Sequence, residues 1–302
     1  MSEETAPSPA SVRAFLRHHG LPGDEITLLP RAGMVNHVYR VDRAFCVRVN
    51  RQDVEDDDAY TERAVLPVLA EADIPTPRLV LFDDSKHLLP GTTTVYDWCE
   101  GVAIGTCPPT FEQFKVLAAD LGAAMARIHA LPMDRIEEKY LDPGDDTDLA
   151  EQLRMAAESK VLDGCHLAWF ARWGARLAER GGKGPTRFLH NDLHGGNIMY
   201  DPATGHLTAI LDWGDVCYDD PATEFNTLPV WIWEYLLPAY EAAGGDLGEG
   251  GEFRLFLHYL DSAFRFMSAD FVNMTDIASD WWPRPLSRWA EMAFWMAQPP
   301  SP

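Results

Sequence analysis

The stretch Phe188–Asp201, FLHNDLHGGNIMYD, decides how this chain is read. It sets His190, Asp192, His194 and Asn197 between two apolar pairs, Phe188-Leu189 and Ile198-Met199. Buried strands run apolar or alternate; this stretch does neither, so it reads as a polar loop joining short apolar pieces. Asp192 and Asn197 stand five apart, on a turn that carries Gly195 and Gly196. Fifteen residues after Asn197, Asp212 follows the apolar run LTAIL and opens DWGD. Singly, such Asp and Asn residues are ordinary turn formers. As an ordered set they could supply what phosphoryl transfer needs. One carboxylate would orient the attacking hydroxyl or take its proton, while a second carboxylate and an amide oxygen would hold Mg²⁺ against the phosphates. The glycines are expected to let the backbone turn tightly enough to gather these oxygens.

Outward from this stretch the pattern changes twice. Ser8–His19 reads as a short amphipathic helix with Val12, Phe15 and Leu16 on one face. HVYRV, the turn DRA and FCVRV read as a hairpin. The acids Asp56–Asp58 precede a helical stretch, AYTERAVLPVLAEA, and acids suit the start of a helix. RLVLF and GTTTVYDW add two strands. Beyond residue 100 the character is helical: one long helix over Phe111–Ala130, one or two over Asp145–Arg180, and more from Pro221 onward, broken by GGDLGEGG. NIMYD and LTAILDW are the strands of the polar-rich part. The outline is an α+β chain with a small β-rich lobe at residues 1–97 and a larger helical lobe at residues 98–302. The hinge is expected near Tyr96–Gly101, in a kind of cleft where nucleotides often bind.

HNDLHGGN followed by LDWGD resembles the catalytic loop and metal-binding segment of the aminoglycoside phosphotransferase and choline kinase-like superfamily. These are small-molecule kinases with a protein-kinase-like two-lobed fold. H-x-D-x-x-x-x-N is matched in full, and Asp212-Trp213-Gly214 stands in the place of D-F-G. The resemblance implies that Asp192 is the catalytic base, that Asn197 and Asp212 hold Mg²⁺, and that His190 shapes the loop by bonding near Asp212. His194 would be structural or close to the phosphates, and Glu224 would brace the loop. RAGMVNHVYRV resembles the nucleotide-covering loop, with Gly33 and Asn36 at matching places. The third strand should carry a lysine for the α/β-phosphates. Arg48 stands there instead, and a planar fork is not a point charge. Glu62 would be its partner on the following helix. In the hinge, Asp97 and Trp98 would neighbour the nucleobase.

The implied reaction moves the γ-phosphate of ATP or GTP to a hydroxyl of a small acceptor, an antibiotic by this resemblance. A cationic acceptor is expected, because acids and aromatic faces suit cations. Trp231, Trp233, Glu234, Tyr235, Asp261, Asp270, Trp281 and Trp282 are the residues that suggest it. Three other readings compete: a metabolic kinase of an amino alcohol or sugar, a nucleotide-binding pseudokinase (for which Arg48 argues), and a metal-dependent hydrolase built on His190, Asp192, His194 and Asp212.

The net charge of −22, with 47 acids against 25 bases, argues against a nucleic-acid phosphate backbone as partner for the chain as a whole and would draw cations. No apolar run is long enough to span a membrane. The acidic start MSEETAPSPA lacks the basic region of a signal peptide, so a cytoplasmic location is expected. Five scattered cysteines without a C-x-x-C pair argue against a disulfide framework and a cysteine zinc site.

Overall fold

Ser8 starts the first helix. Its Oγ accepts the Ser11 N–H at 3.1 Å, and helix α1 (Pro9–His18) buries Val12, Phe15 and Leu16, the face the sequence predicts. The computed structural model describes residues 6–29, 35–51, 58–144, 148–158, 160 and 162–267. Gly33, Asp56, Asp270, Trp281 and Trp282 lie outside the described residues.

Strands β1 (Ile26–Leu29), β2 (Asn36–Val41) and β3 (Phe45–Asn50) form an antiparallel run. The β2–β3 turn is the predicted one. Asp42 and Arg43 both have positive φ, 51° and 55°, and Ala44 N–H donates to Val41 O at 2.8 Å, a geometry that matches the twist of a two-residue hairpin. Helix α2 (Asp58–Glu71) follows, then β4 (Leu79–Asp83) and β5 (Thr93–Asp97), giving a five-stranded sheet of order β1-β2-β3-β5-β4.

Beyond the sheet come β6 (Val102–Ala103), α3 (Phe111–His129), α4 (Leu149–Glu158) and α5 (Gly164–Gly181). A capping box opens α3: Thr110 Oγ1 accepts Gln113 N–H at 3.4 Å, while Gln113 Oε1 accepts Thr110 N–H at 2.8 Å. Then come the short strands β7 (Arg187–Leu189), β8 (Ile198–Tyr200), β9 (Leu207–Ile210) and β10 (Cys217–Asp219), and helices α6 (Trp233–Ala242) and α7 (Gly251–Met267). β7 pairs with β10, and β6-β8-β9 form a separate three-stranded sheet. Neither β6 nor the β7–β10 pair is in the sequence reading, since two- and three-residue strands have no period to show.

The architecture is the α+β two-lobed fold expected, but the apolar cores divide differently from the chain. The sheet and α1 share one core of Val12, Phe15, Leu16, Tyr39, Val41, Val47, Val49, Leu89 and Val95. Val65, Leu66 and Leu69 of α2, with Tyr96 of β5, pack into the large helical core instead. A boundary at residue 97 therefore bounds the sheet and not the packing. Among the described residues no helix is long and apolar enough to cross a membrane. No disulfide joins any of the five cysteines, all of which are among the described residues.

Candidate active site

Two antiparallel ladders gather the polar stretch. In the first, Leu189 pairs with Cys217. In the second, Ile198 pairs with Ile210, and Leu211 N–H donates to Asn197 O at 2.8 Å. Residues 190–197 thus leave one ladder and enter the other, while Asp212 follows directly where the second ends. Short backbone pairing, not sequence proximity, brings Asn197 beside Asp212.

Within the loop, Asn197 Nδ2 donates to Asp192 O at 2.9 Å and to Asp192 Oδ2 at 3.0 Å. Both amide hydrogens of Asn197 thus serve Asp192, which leaves Asn197 Oδ1 as the free end of the amide. His194 Nδ1 accepts Gly196 N–H at 2.9 Å, which places the ring proton on Nε2, 3.3 Å from Asp192 Oδ2. His190 Nδ1 accepts Asp192 N–H at 3.2 Å, and its Nε2 donates to Leu211 O at 2.8 Å. That is the loop-shaping bond near Asp212 that the sequence implies. Buried Trp213 lies against the His190 ring at a centroid distance of 4.4 Å. Buried Glu224 braces the loop, accepting His190 N–H at 2.8 Å and Asn191 N–H at 3.1 Å. Thr227 Oγ1 donates to Leu193 O at 2.6 Å and anchors its centre.

The tight backbone is not where the glycine pair suggests. The left-handed residues are Asn191, at φ 68°, and Asp212, at φ 65°; Asp and Asn visit that region more readily than most non-glycine residues. At Gly195 a Cβ would meet Gly105 only at an ordinary 3.4 Å, so neither φ nor space demands glycine there. Gly214 is a matter of space. A Cβ there would sit 2.5 Å from the Asp58 carboxyl carbon at the start of α2.

Arg48 and Glu62 meet as expected. Arg48 Nη1 donates to Glu62 Oε1 at 3.0 Å, and Arg48 Nη2 lies 2.9 Å from Asp212 Oδ1. Glu62 Oε1 also accepts Trp213 N–H at 3.2 Å, and Glu62 Oε2 accepts the Tyr96 hydroxyl. Burial alone would raise the Asp212 carboxyl. Arg48 beside it outweighs that and holds it below the usual carboxylate range. The side chain of Asp212 is 45% exposed. Its Oδ1, which lies against Arg48 Nη2, is itself buried, so a ligand reaches the carboxylate from its other side. A carboxylate and an amide oxygen are hard donors of the kind Mg²⁺ takes.

The remaining predicted residues are more peripheral. Asn36 opens β2, buried and paired across from Asn50. The Asp97 carboxylate is held bidentately by Arg78, at 2.7 and 3.1 Å. The Asp97 and Trp98 N–H groups donate to Arg78 O and Ala44 O, each at 2.9 Å. Neither of those two N–H groups is open to a nucleobase. Trp233 is buried in the large core, and buried Asp261 pairs with Arg265 at 3.4 Å. Trp231 is 48% exposed, packed edge-on against Phe114 at 4.6 Å.

The sequence reading missed Asp215, the second acid of DWGD. Burial first, then the charges of Asp192 and Asp212, push its carboxyl up to about 6. Asp142 adds to the same effect. The hydrolase reading fails on geometry. His190 spends both ring nitrogens on the backbone, and no three His, Cys, Asp or Glu side chains among the described residues are grouped to hold a metal.

Residues 27–256 match the model of a family described as the phosphotransferase enzyme family. The wild-type aminoglycoside 2'-phosphotransferase-IIIa in its GDP complex is 14% identical and superposes with a TM-score of 0.71, over 95% of this chain and 97% of that one. A macrolide 2'-phosphotransferase from Brachybacterium faecium, as apoenzyme, is 20% identical with a TM-score of 0.63, over 97% and 99%. A streptomycin–ATP ternary complex of an aminoglycoside 2''-phosphotransferase is 13% identical with a TM-score of 0.60, over 91% and 97%. At these identities the structural likeness carries the fold. The family match spans most of the chain: the protein belongs to the phosphotransferase enzyme family.

Proposed function

We propose that this family member transfers the γ-phosphoryl group of ATP or GTP to a hydroxyl of a small cationic acceptor, most simply an antibiotic. One observation carries the reading. A single amide, Asn197, fixes the Asp192 carboxylate with its nitrogen, keeps its oxygen unspent, and is joined through its backbone oxygen to Leu211, the residue before Asp212. Base and cation ligand are thereby held by one side chain.

In this account Asp192 receives the acceptor hydroxyl. Its side chain is 30% exposed, so the hydroxyl can reach it. The hydroxyl proton passes to the carboxylate as the oxygen attacks the γ-phosphorus, and the nucleoside diphosphate leaves with the bridging oxygen. Mg²⁺, held by Asn197 Oδ1 and Asp212, would supply charge neutralisation on the phosphate oxygens. Asn197 and His194 hold Asp192 Oδ2, so little reorganisation is left for the moment of reaction. His190 and Glu224 fix the loop backbone beneath. Arg48, Asn36 and Glu62 belong to the nucleotide side.

Asp192 and Asp212 lie close enough to Asp215 to raise its carboxyl, and this gathering of acids supports a cationic acceptor. The aminoglycoside and macrolide enzymes that share the fold support an antibiotic acceptor. Adding a dianion would spoil the fit of such a molecule to an anionic target.

The test is a screen by mass spectrometry. The protein, Mg²⁺ and ATP or GTP are incubated with antibiotics and amino alcohols. A mass gain of one phosphoryl group, absent with Asp192→Asn, is expected. Nucleotide binding without any phosphorylated product would favour a pseudokinase.

A further inference from the structure

A cavity of about 340 Å³ opens where the end of α3, the start of β7 and the turn after α6 meet. That is the size of a small-molecule site, and none of its lining residues belongs to the candidate active site. Leu131, Pro132 and Met133 give it an apolar side. Gly244, at φ 92°, turns the chain after α6, and Gly245 brings it so close to Tyr240 that a Cβ there would sit 2.4 Å from the ring. Asp246 is thereby laid beside Tyr240, whose hydroxyl accepts the Asp246 N–H. The same hydroxyl bonds His129 Nδ1 at 2.8 Å, and His129 Nε2 lies 3.6 Å from Glu224 Oε2. The lining of the cavity therefore reaches the brace of the Asp192 loop.

Two opposite charges line this cavity and do not meet. Arg187, at the start of β7, donates Nη1 to Thr186 O at 3.1 Å, and Asp246 Oδ1 accepts the Gly248 N–H at 2.7 Å. Among the described residues neither makes an ion pair. Both still act on the Tyr240 hydroxyl: burial pushes it up, Arg187 draws it down and Asp246 adds to the rise. A ligand with a single charge would satisfy one of these two groups and oppose the other. A ligand with both charges satisfies both. We propose that the cavity binds a small zwitterion with an apolar side chain, an α-amino acid by its chemistry. Its carboxylate takes the planar Arg187 fork, which suits that group. Its ammonium takes Asp246, and its side chain lies on Leu131, Pro132 and Met133. Occupancy restrains Tyr240 and, through His129, reaches Glu224. The inference stands apart from the proposed reaction, since it uses neither Asp192 nor Asp212.

Calorimetric titration of the intact chain with leucine and phenylalanine tests this. Isocaproate and hydrocinnamate lack the ammonium, while isoamylamine and phenethylamine lack the carboxylate. Each amino acid should bind about tenfold more tightly than its singly charged analogues, the worth of one charge-assisted hydrogen bond. Arg187→Gln and Asp246→Asn should each weaken the amino acid by about tenfold on the same ground, and both should keep the melting temperature of the wild type. Arg187→Lys, which keeps the charge and loses the fork, should fall between wild type and Arg187→Gln. Asp192→Asn should leave the affinity unchanged, which separates the cavity from the candidate active site. No binding of either amino acid at tens of millimolar would overturn the proposal. So would analogues that bind as tightly as the amino acids, wild-type affinity in Arg187→Gln, or binding lost with Asp192→Asn. If Arg187→Gln does not fold, as judged by its melting curve, Asp246→Asn decides.

Discussion

The two halves of the site are held by different forces. The loop around Asp192 is fixed from below by backbone bonds: His190 to Leu211, Glu224 to two loop N–H groups, and Thr227 to Leu193. All of these partners lie within 40 residues of one another in the chain. The Arg48 half is fixed by charge, through three side chains from β3, α2 and the segment after β9, and it crosses from one core to the other. Backbone bonds of a buried loop have no alternative partner, so that half should be rigid. A guanidinium between two carboxylates can exchange one anion for another, so that half should be the one that answers to ligands.

The contrast can be broken at several points. The largest effect belongs to Asp192→Ala, which should cost about 10²–10⁴-fold in kcat, the usual worth of a general base. Nucleotide affinity, measured by calorimetry, should stay near that of the wild type. Next comes Asp220→Asn, away from the chemistry. Asp220 accepts from Arg254 at 2.6 Å and lies 3.1 Å from His258 Nε2. Burial alone would raise its carboxyl, yet His258, the Ala222 N–H and Arg254 hold it below the ordinary range. A depressed acid stabilises the fold above its unfolded pKa, and that contribution is lost as pH falls through the folded value. The variant should therefore lose about 3 kcal/mol at pH 7, with the deficit shrinking below about pH 4. Denaturant melts at both pH values check this.

Glu224→Gln tests the brace directly. It keeps one acceptor and loses the charge, so stability should fall by about 1–2 kcal/mol. kcat should fall while the KM for nucleotide holds. A rise in nucleotide KM instead would mean that the two halves are not separable. Trp231→Ala should do least: stability should change by under about 0.5 kcal/mol, and only the acceptor KM should move. An unchanged acceptor KM would remove Trp231 from the acceptor surface.

What the sequence discloses follows the same divide. Asp192, Asn197 and Asp212 are legible because their spacing is imposed by one loop and one hairpin. The Arg48–Glu62 pair is legible only through resemblance, since 14 residues and a change of element separate the two. Asp215 is not legible because a lone acid in a turn looks like any other until Asp192 and Asp212 are known to lie near it. The left-handed turns at Asn191 and Asp212 were hidden behind a glycine pair that drew attention to itself. Trp231 and Trp233 read alike in one dimension, but one is exposed and the other lies in the core. The allegiance of α2 to the large core could not be read either, because an apolar helix face does not say which core it will join.

The most direct measurement is a pair of numbers on one variant: kcat for an identified acceptor and Kd for the nucleotide, in Asp192→Asn. The account predicts that turnover collapses while the nucleotide Kd stays within about threefold of the wild type, less than 1 kcal/mol. Turnover that persists, or a nucleotide site lost along with it, would contradict the assignment of chemistry to the fixed loop.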